Sequence, residues 1–157
     1  MRTAILVLNV LTALGCGLVG GVFFAFSAFV MKALAKLTPP CGIAAMQSIN
    51  LVVINPLFLG AFLGTGVLCL ATTLVAILEP HDARTLCVLA GSALYLIGTL
   101  GVTVLCNVPR NDRLAAVAAS EPSSEPLWRE YASGWTWWNH VRTVAALAAA
   151  ALFTFAL

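Results

Sequence analysis

Charged side chains are scarce in this chain. Eight Lys and Arg and six Asp and Glu make up 9% of 157 residues, against 61% hydrophobic. A soluble domain carries about 25% charged residues, so the shortage excludes an ordinary water-soluble fold. The net charge is only +2 and the positive residues are scattered. No basic run is present, which argues against a nucleic-acid partner.

Other absences narrow the chemistry. The five cysteines, Cys16, Cys41, Cys69, Cys87 and Cys106, form no C-x-x-C pair. Four lie in apolar runs, where Cys acts as a small hydrophobe. A quinone-reducing dithiol enzyme needs a close pair, and none is visible. Only two histidines occur, His81 and His140. His81 falls in a turn at one membrane face and His140 near the other, separated by roughly 30 Å. They cannot share a metal or a haem. All six acidic residues, Glu79, Asp82, Asp112, Glu121, Glu125 and Glu130, fall in expected loops. A di-iron bundle needs carboxylates facing inward from its helices. There is no dinucleotide fingerprint and no phosphate loop. The reading is therefore no metal, no tightly held nucleotide and no cofactor.

What the chain does have is apolar length. A hydrocarbon core about 30 Å thick takes roughly 20 apolar residues per helix, which allows about four spans here. The expectation is one all-α integral membrane domain over residues 1–157, a four-helix bundle with spans at about 3–31, 52–78, 85–107 and 136–157. The N-terminus, MRTAILVLNV, begins like a signal peptide. Its apolar run continues to Val30, too long for a cleaved segment, so it reads as a retained first span. Gly15, Gly17, Gly20 and Gly21 allow neighbouring backbones to approach. Thr38-Pro39-Pro40 is a breaker. Residues 41–54 then form either a short interfacial helix or the start of a kinked span two. Asn55 before Pro56 suits an N-cap. Pro109 is expected to stop the third helix near Asn107. Residues 114–119 suit a short helix in the loop between spans three and four, and 121–126 (EPSSEP) a loop. Span four starts near Thr136.

Arg2 and Arg84 fall on one side of such a bundle. Lys32, Lys36, Arg110, Arg113, Arg129 and Arg142 fall on the other. The positive-inside rule predicts both termini outside, with loops one and three cytoplasmic, in a membrane of the bacterial inner-membrane type. This topology collects the polar chemistry at one mouth. Ser27 and Met31, then Gln47, Asn50 and Asn55, then Asn107 and Asn111, then Asn139, His140, Arg142 and Thr143 all lie at that end. Polar and ionisable groups beside a span are expensive to place and are functional candidates. Bundle interiors are a usual place for small-ligand sites.

On a helix, Asn139, Arg142 and Thr143 share one face, while His140 lies about 200° from Arg142. His140 has the near-neutral pKa that suits a proton acceptor. Plainer alternatives stand beside each functional reading. Arg142 suits a snorkelling anchor. Trp135 and Trp137 suit an interfacial aromatic belt. Asn50 and Asn107 suit caps or interhelical bonds, and His140 a hydrogen-bonded interfacial residue.

Five segments together carry a resemblance: 21–31 (GVFFAFSAFVM), 42–50 (GIAAMQSIN), 60–65 (GAFLGT), 107–111 (NVPRN) and 135–143 (WTWWNHVRT). In order and spacing they resemble the anthrone oxygenase family, also called the domain of unknown function 1772 family, over nearly the whole chain. Fungal members oxidise anthrones to anthraquinones with O₂ and are regarded as needing no cofactor. The resemblance implies a monooxygenase-type oxidoreductase acting on an apolar aromatic small molecule. An anthrone has an acidic methylene, and its anion can reduce O₂ directly. The protein then supplies a base, oxyanion donors and a dry pocket. On the matching positions we assign His140 as base, with Asn139, Asn107 and Arg142 stabilising the oxyanion or a peroxide. Gln47, Asn50 and Thr143 hold substrate polar groups, and Phe24, Phe26 and Trp138 line a flat apolar pocket. The bilayer and a second copy of the chain complete the expected partners. Two other classes stay open: a non-enzymatic bundle acting as an accessory subunit, and a small oligomeric transporter. Transport normally places polar groups near the midplane, which ranks it third.

Overall fold

The computed structural model describes residues 2–80, 82–121 and 124–157. These are helical almost throughout, with no strand among them. Five helices follow in order: α1 (Thr3–Leu34), α2 (Pro39–Val52), α3 (Pro56–Leu78), α4 (Ala83–Ala115) and α5 (Ser124–Phe155). His81 and part of the expected loop at 121–126 lie outside the described residues.

Local sequence explains the breaks between elements. Thr38 is extended, at φ −59° and ψ 146°, as a residue before proline prefers, and Pro39 opens α2. Asn55 caps α3: its Oδ1 accepts from Phe58 N–H at 3.0 Å, and its Nδ2 donates to Val52 O at 2.9 Å. One side chain thus ties the end of α2 to the start of α3. The short helix before span two is therefore α2, separate from α3.

Four helices form a closed ring. α1 packs along α5 and against α3, while α4 packs against α3 and α5. α2 lies across the ends of α4 and α5 and closes one end of the bundle. Small residues set the spacing. A Cβ on Gly98 of α4 would stand 2.7 Å from Ala145 Cβ on α5, and one on Gly42 of α2 would meet the Trp128 ring at 2.7 Å. Such close approach is how helices associate where lipid tails remove the hydrophobic incentive.

Two cores result. One holds Cys16, Val19, Phe62, Cys69, Tyr95 and Phe153, and the other, under α2, holds Ile43, Met46, Leu114, Trp128, Tyr131 and Trp135. The outside is as apolar as the inside, with Leu14, Leu18, Val67 and Leu70 exposed. A helix that is hydrophobic all round is one buried in protein or lipid. α1, α3 and α4 are long and apolar enough to cross a membrane. α5 is not among those three. At 32 residues it has the length, but it carries Asn139, His140 and Arg142.

The structure corrects three expected boundaries. α4 does not stop at Asn107 but continues through Pro109 to Ala115. A π-helical segment at Thr103–Asn107 ends one residue short of the proline, which is the second residue of the α-helical stretch that follows. Proline lacks the N–H of the regular ladder, and a π turn shifts the hydrogen-bond register around it. Arg110 Nη1 also donates to Cys106 O at 2.6 Å, covering a carbonyl beside the break. The expected short helix at 114–119 is thereby displaced upstream into the end of α4. Third, α5 begins at Ser124, well before Thr136. Pro126 is tolerated in its first turn, where an N–H has no helical partner.

Candidate functional site: a buried polar centre between α1, α4 and α5

α5 turns Asn139, Arg142 and Thr143 inward, at 0%, 4% and 6% exposure. Asn139 is the hub. Its Nδ2 donates to Phe23 O at 2.7 Å and to Ser27 Oγ at 2.8 Å, both on α1. Its Oδ1 accepts from Arg142 Nη2 at 2.6 Å. Thr143 Oγ1 donates to Asn139 O at 2.8 Å and lies 3.3 Å from Ser27 Oγ. Arg142 Nη1 donates to Thr103 Oγ1 of α4 at 3.2 Å. The guanidinium carbon sits 4.1 Å from the Phe23 ring centroid and 5.1 Å from that of Trp135. Asn107 is 1% exposed, and its Nδ2 donates to Trp135 O at 3.2 Å.

The partners from α1 and α4 share a backbone feature. Ser27 lies in a π segment at Phe26–Val30, and Thr103 and Asn107 lie in the one at Thr103–Asn107. Thr99, whose Oγ1 is 3.5 Å from Arg142 O, lies in a further one at Leu94–Gly101. π turns inside α-helices are frequent at functional sites.

Two features of this centre call for a physical account. The first is charge. Among the described residues the ion pairs are Arg113–Glu130 at 3.0 Å and Arg129–Glu125 at 2.6 Å, both at the surface. Among those residues Arg142 has no carboxylate partner. Burying a cation costs several kcal/mol after relaxation. Stacking on aromatic faces returns about 2 kcal/mol or more when desolvated, and the bonds to Asn139 and Thr103 offset a further part. The second feature is open hydrogen-bonding capacity. Asn107 Oδ1, Trp135 Nε1 and Arg142 Nε are buried with no hydrogen-bond partner among the described residues. An orphaned buried donor or acceptor costs about 1–3 kcal/mol.

Beside the centre, Trp128, Tyr131 and Trp135 stack along α5, with centroid separations of 5.8 and 6.4 Å. Tyr131 O–H donates to Asn111 Oδ1 at 2.9 Å and accepts from Asn50 Nδ2 at 3.4 Å. This hydroxyl ties α2, α4 and α5 together.

The expected site residues divide. Asn139, Arg142, Thr143 and Asn107 come together. Arg142 does not snorkel; it points into the bundle. His140 is exposed. The 100° step per residue that turns Asn139 inward carries its neighbour out, so His140 stands apart from the centre. Phe24 is 56% exposed and faces outward, and Phe23 occupies the inward position instead. Phe26 packs on Trp135 at 5.6 Å, and Trp138 is half-buried. Gln47 donates to Leu114 O at 2.8 Å and Val117 O at 3.0 Å, clamping the end of α4. Together with the Asn50 bond to Tyr131, this fastens α2 to the bundle. The sequence reading missed Phe23, Thr99 and Thr103. A signal was available: Thr99, Thr103 and Asn107 recur every four residues, a polar line on an apolar helix.

Among the described residues no three His, Cys, Asp or Glu side chains converge. What the centre offers is one cation, hydrogen-bond donors and an amide oxygen, flanked by aromatic rings. It can bind and orient polar or anionic oxygen.

Apolar outside, ringed helices and a polar centre at one end define a membrane-type helical bundle with a buried polar cluster. The chain belongs to the anthrone oxygenase family, whose model matches residues 52–152. The match takes in Asn107, Trp135, Asn139, Arg142 and Thr143, while the segments 21–31 and 42–50 lie outside it. No curated protein and no solved structure matches the chain.

Proposed function

We propose that this protein is a membrane-embedded, cofactor-independent oxygenase acting on a flat apolar aromatic substrate of the anthrone type. The observation that carries the reading is the buried Asn139–Arg142 centre, which lies inside the matched region and keeps three polar atoms open. In the proposed reaction the anion of the substrate methylene adds O₂ at carbon. The resulting peroxide loses water to leave a carbonyl, so one oxygen atom enters the product and the other leaves as water. Asn139 orients Arg142, and Asn107, Trp135 and Arg142 supply the open polar contacts. Oriented donors of this kind favour a developing oxyanion. His140, exposed on the flank, acts as base only on a substrate that reaches it from outside the centre.

In this reading α5 is the fourth span. Lys32, Lys36, Arg110, Arg113 and Arg129 share one end, and the positive-inside rule supports a reading with loops one and three cytoplasmic and the termini outside.

The test is O₂ consumption and quinone formation by the purified protein in micelles with an anthrone. Asn139→Ala frees Arg142 from its position and is expected to lower the rate about 100-fold, the scale of losing one oxyanion-site donor. His140→Ala is expected to lower it less. Oxidation no faster than in empty micelles, for the unaltered protein, refutes the proposal.

A further inference from the structure

The end of the bundle away from the Asn139–Arg142 centre holds a cavity of about 60 Å³ between α1, α3 and α4. Asn9 beside it and Ser27 at the centre are about 27 Å apart along α1, at 1.5 Å per residue. None of the residues lining the cavity belongs to that centre. The walls are largely apolar, with Ile5 and Val88 among them, and two polar side chains reach the cavity from buried positions. Asn9 is 6% exposed, and its amide makes no hydrogen bond among the described residues. Thr72 is buried, and its Oγ1 already donates, to Leu68 O at 2.9 Å and Cys69 O at 3.0 Å. What Thr72 offers the cavity is therefore lone pairs. Two opposite charges also line it, Glu79 at the end of α3 and the exposed Arg84 on α4. They are not paired with each other, since the ion pairs among the described residues lie elsewhere.

Size excludes one class of ligand. A cavity that binds benzene measures about 150 Å³, so this one is no second place for a flat aromatic substrate. The polar groups select another class. Thr72 Oγ1, Asn9 Oδ1 and the Glu79 carboxylate are acceptors, against a single donor group, the Asn9 amide nitrogen. A lining rich in acceptors and carrying a negative charge suits a small, donor-rich cation. A primary ammonium has three N–H donors and no acceptor. The exposed guanidinium of Arg84 suits an oxyanion, and phosphate above all. The level in the membrane points to a source. α3 is 23 residues long, of membrane-crossing length, and Glu79 follows its last residue, Leu78. The mouth therefore lies where a span of that length meets the lipid headgroups.

We infer that this cavity binds the headgroup of a phosphatidylethanolamine-type lipid. The ammonium enters toward Asn9 and Thr72, under the charge of Glu79, and the phosphate stays at the rim with Arg84. A phosphocholine headgroup carries three methyl groups in place of the N–H donors. It is bulkier and would leave the Asn9 and Thr72 acceptors unbonded, so the site discriminates against it. The inference does not rest on the oxygenase reading, which concerns the opposite end of the bundle.

The experiment uses the full chain in maltoside micelles, titrated with dioctanoyl phosphatidylethanolamine or with dioctanoyl phosphatidylcholine. Native mass spectrometry counts the bound lipid. The unaltered chain is expected to bind the ethanolamine lipid about 10-fold more tightly than the choline lipid. Asn9→Leu fills the cavity and removes its buried amide, and is expected to abolish that preference. Glu79→Gln and Arg84→Gln are each expected to weaken binding of the ethanolamine lipid several-fold. Circular dichroism and gel filtration qualify each variant as folded. If Asn9→Leu does not fold, the two variants at the mouth and the unaltered chain decide the matter. Soluble O-phosphoethanolamine separates a lipid from a free ligand. It is expected to compete poorly, and competition at the same concentration as the lipid would overturn the lipid assignment. Equal binding of the two lipids by the unaltered chain overturns the inference, as does a preference that persists in folded Asn9→Leu.

Discussion

The two halves of the bundle satisfy their buried polar groups in opposite ways. In the half around Cys16, Cys69 and Phe153, hydroxyls mostly turn back on their own helix. Thr12 donates to Leu8 O, Thr65 to Ala61 O and Thr72 to Leu68 O, each four residues upstream. The cross-helix bonds here are few: Tyr95 O–H donates to Phe62 O at 2.8 Å, and Ser92 Oγ accepts from Thr73 Oγ1 at 2.8 Å and donates to Cys69 O at 3.1 Å. In the half around Asn139, polar groups bond across helices and to one another, and three atoms are left over. Back-bonding hides polarity inside one helix. Cross-helix bonding fixes a geometry, and unfilled capacity within it marks a place for something else. Buried polar networks are high-stakes for that reason.

The contrast breaks most sharply at the hub. Asn139→Leu removes bonds to Phe23 O, Ser27 and Arg142 and leaves a buried guanidinium short of a partner. A loss of about 3–5 kcal/mol is expected, on the scale of breaking a buried charged pair. Denaturant titration of the purified protein in micelles, followed by far-ultraviolet circular dichroism, measures it. A change below about 1 kcal/mol, within the range of a typical single hydrogen bond, would show that the network is not cooperative.

Next in size is the spacing of α4 and α5. Gly98→Ala places a methyl against Ala145, and overpacking of this kind is expected to destabilise by about 1–3 kcal/mol. The same titration reads it. Gly17→Ala, with open space around its Cβ, serves as the matched control.

Arg142→Met sharpens the comparison differently. Replacing a buried charge by an apolar side chain of similar length is often neutral or stabilising. The variant is expected to be no more than about 1 kcal/mol less stable than the unaltered chain while losing the proposed anthrone oxidation. Loss of both together would place Arg142 among the structural residues.

The smallest effect belongs to the self-satisfied half. Thr72→Val removes a hydroxyl whose acceptors keep their helix, and a change of about 0.5 kcal/mol or less is expected in the unfolding midpoint. A larger loss would mean that hydroxyls in this half also hold helices together.

The helices and the polar end were readable because lipid leaves few options: apolar length must be helical, and polarity must gather where it is useful or hidden. The inward face of Asn139, Arg142 and Thr143 followed from the 100° step alone. That step also turned His140 away, and only the attraction of an imidazole as a base argued for it. Phe24 and Phe23 differ by the same single step, which an unaligned apolar run does not resolve. Pro109 misled because the rule that proline stops a helix assumes an uninterrupted α ladder, and here a π segment ends just before it, so the proline falls in the first turn of the α-helical stretch that follows. The open atoms of Asn107, Trp135 and Arg142 were not readable at all, because being unpartnered is a property of neighbours brought from three helices.

The π segments of α4 set an angular phase. In a strict α-helix, residues four and eight positions on drift by about 40° and 80° from the starting direction. Thr99, Thr103 and Asn107 would then fan away from α5 one after another. Two π segments, Leu94–Gly101 and Thr103–Asn107, interrupt that regular step, and Thr99, Thr103 and Asn107 all reach α5. Three polar side chains are held in line along one seam, like teeth on a rack facing Trp135, Asn139 and Arg142. Deleting one residue from that stretch would leave every side chain in the chain chemically intact and swing Asn107 out of the seam.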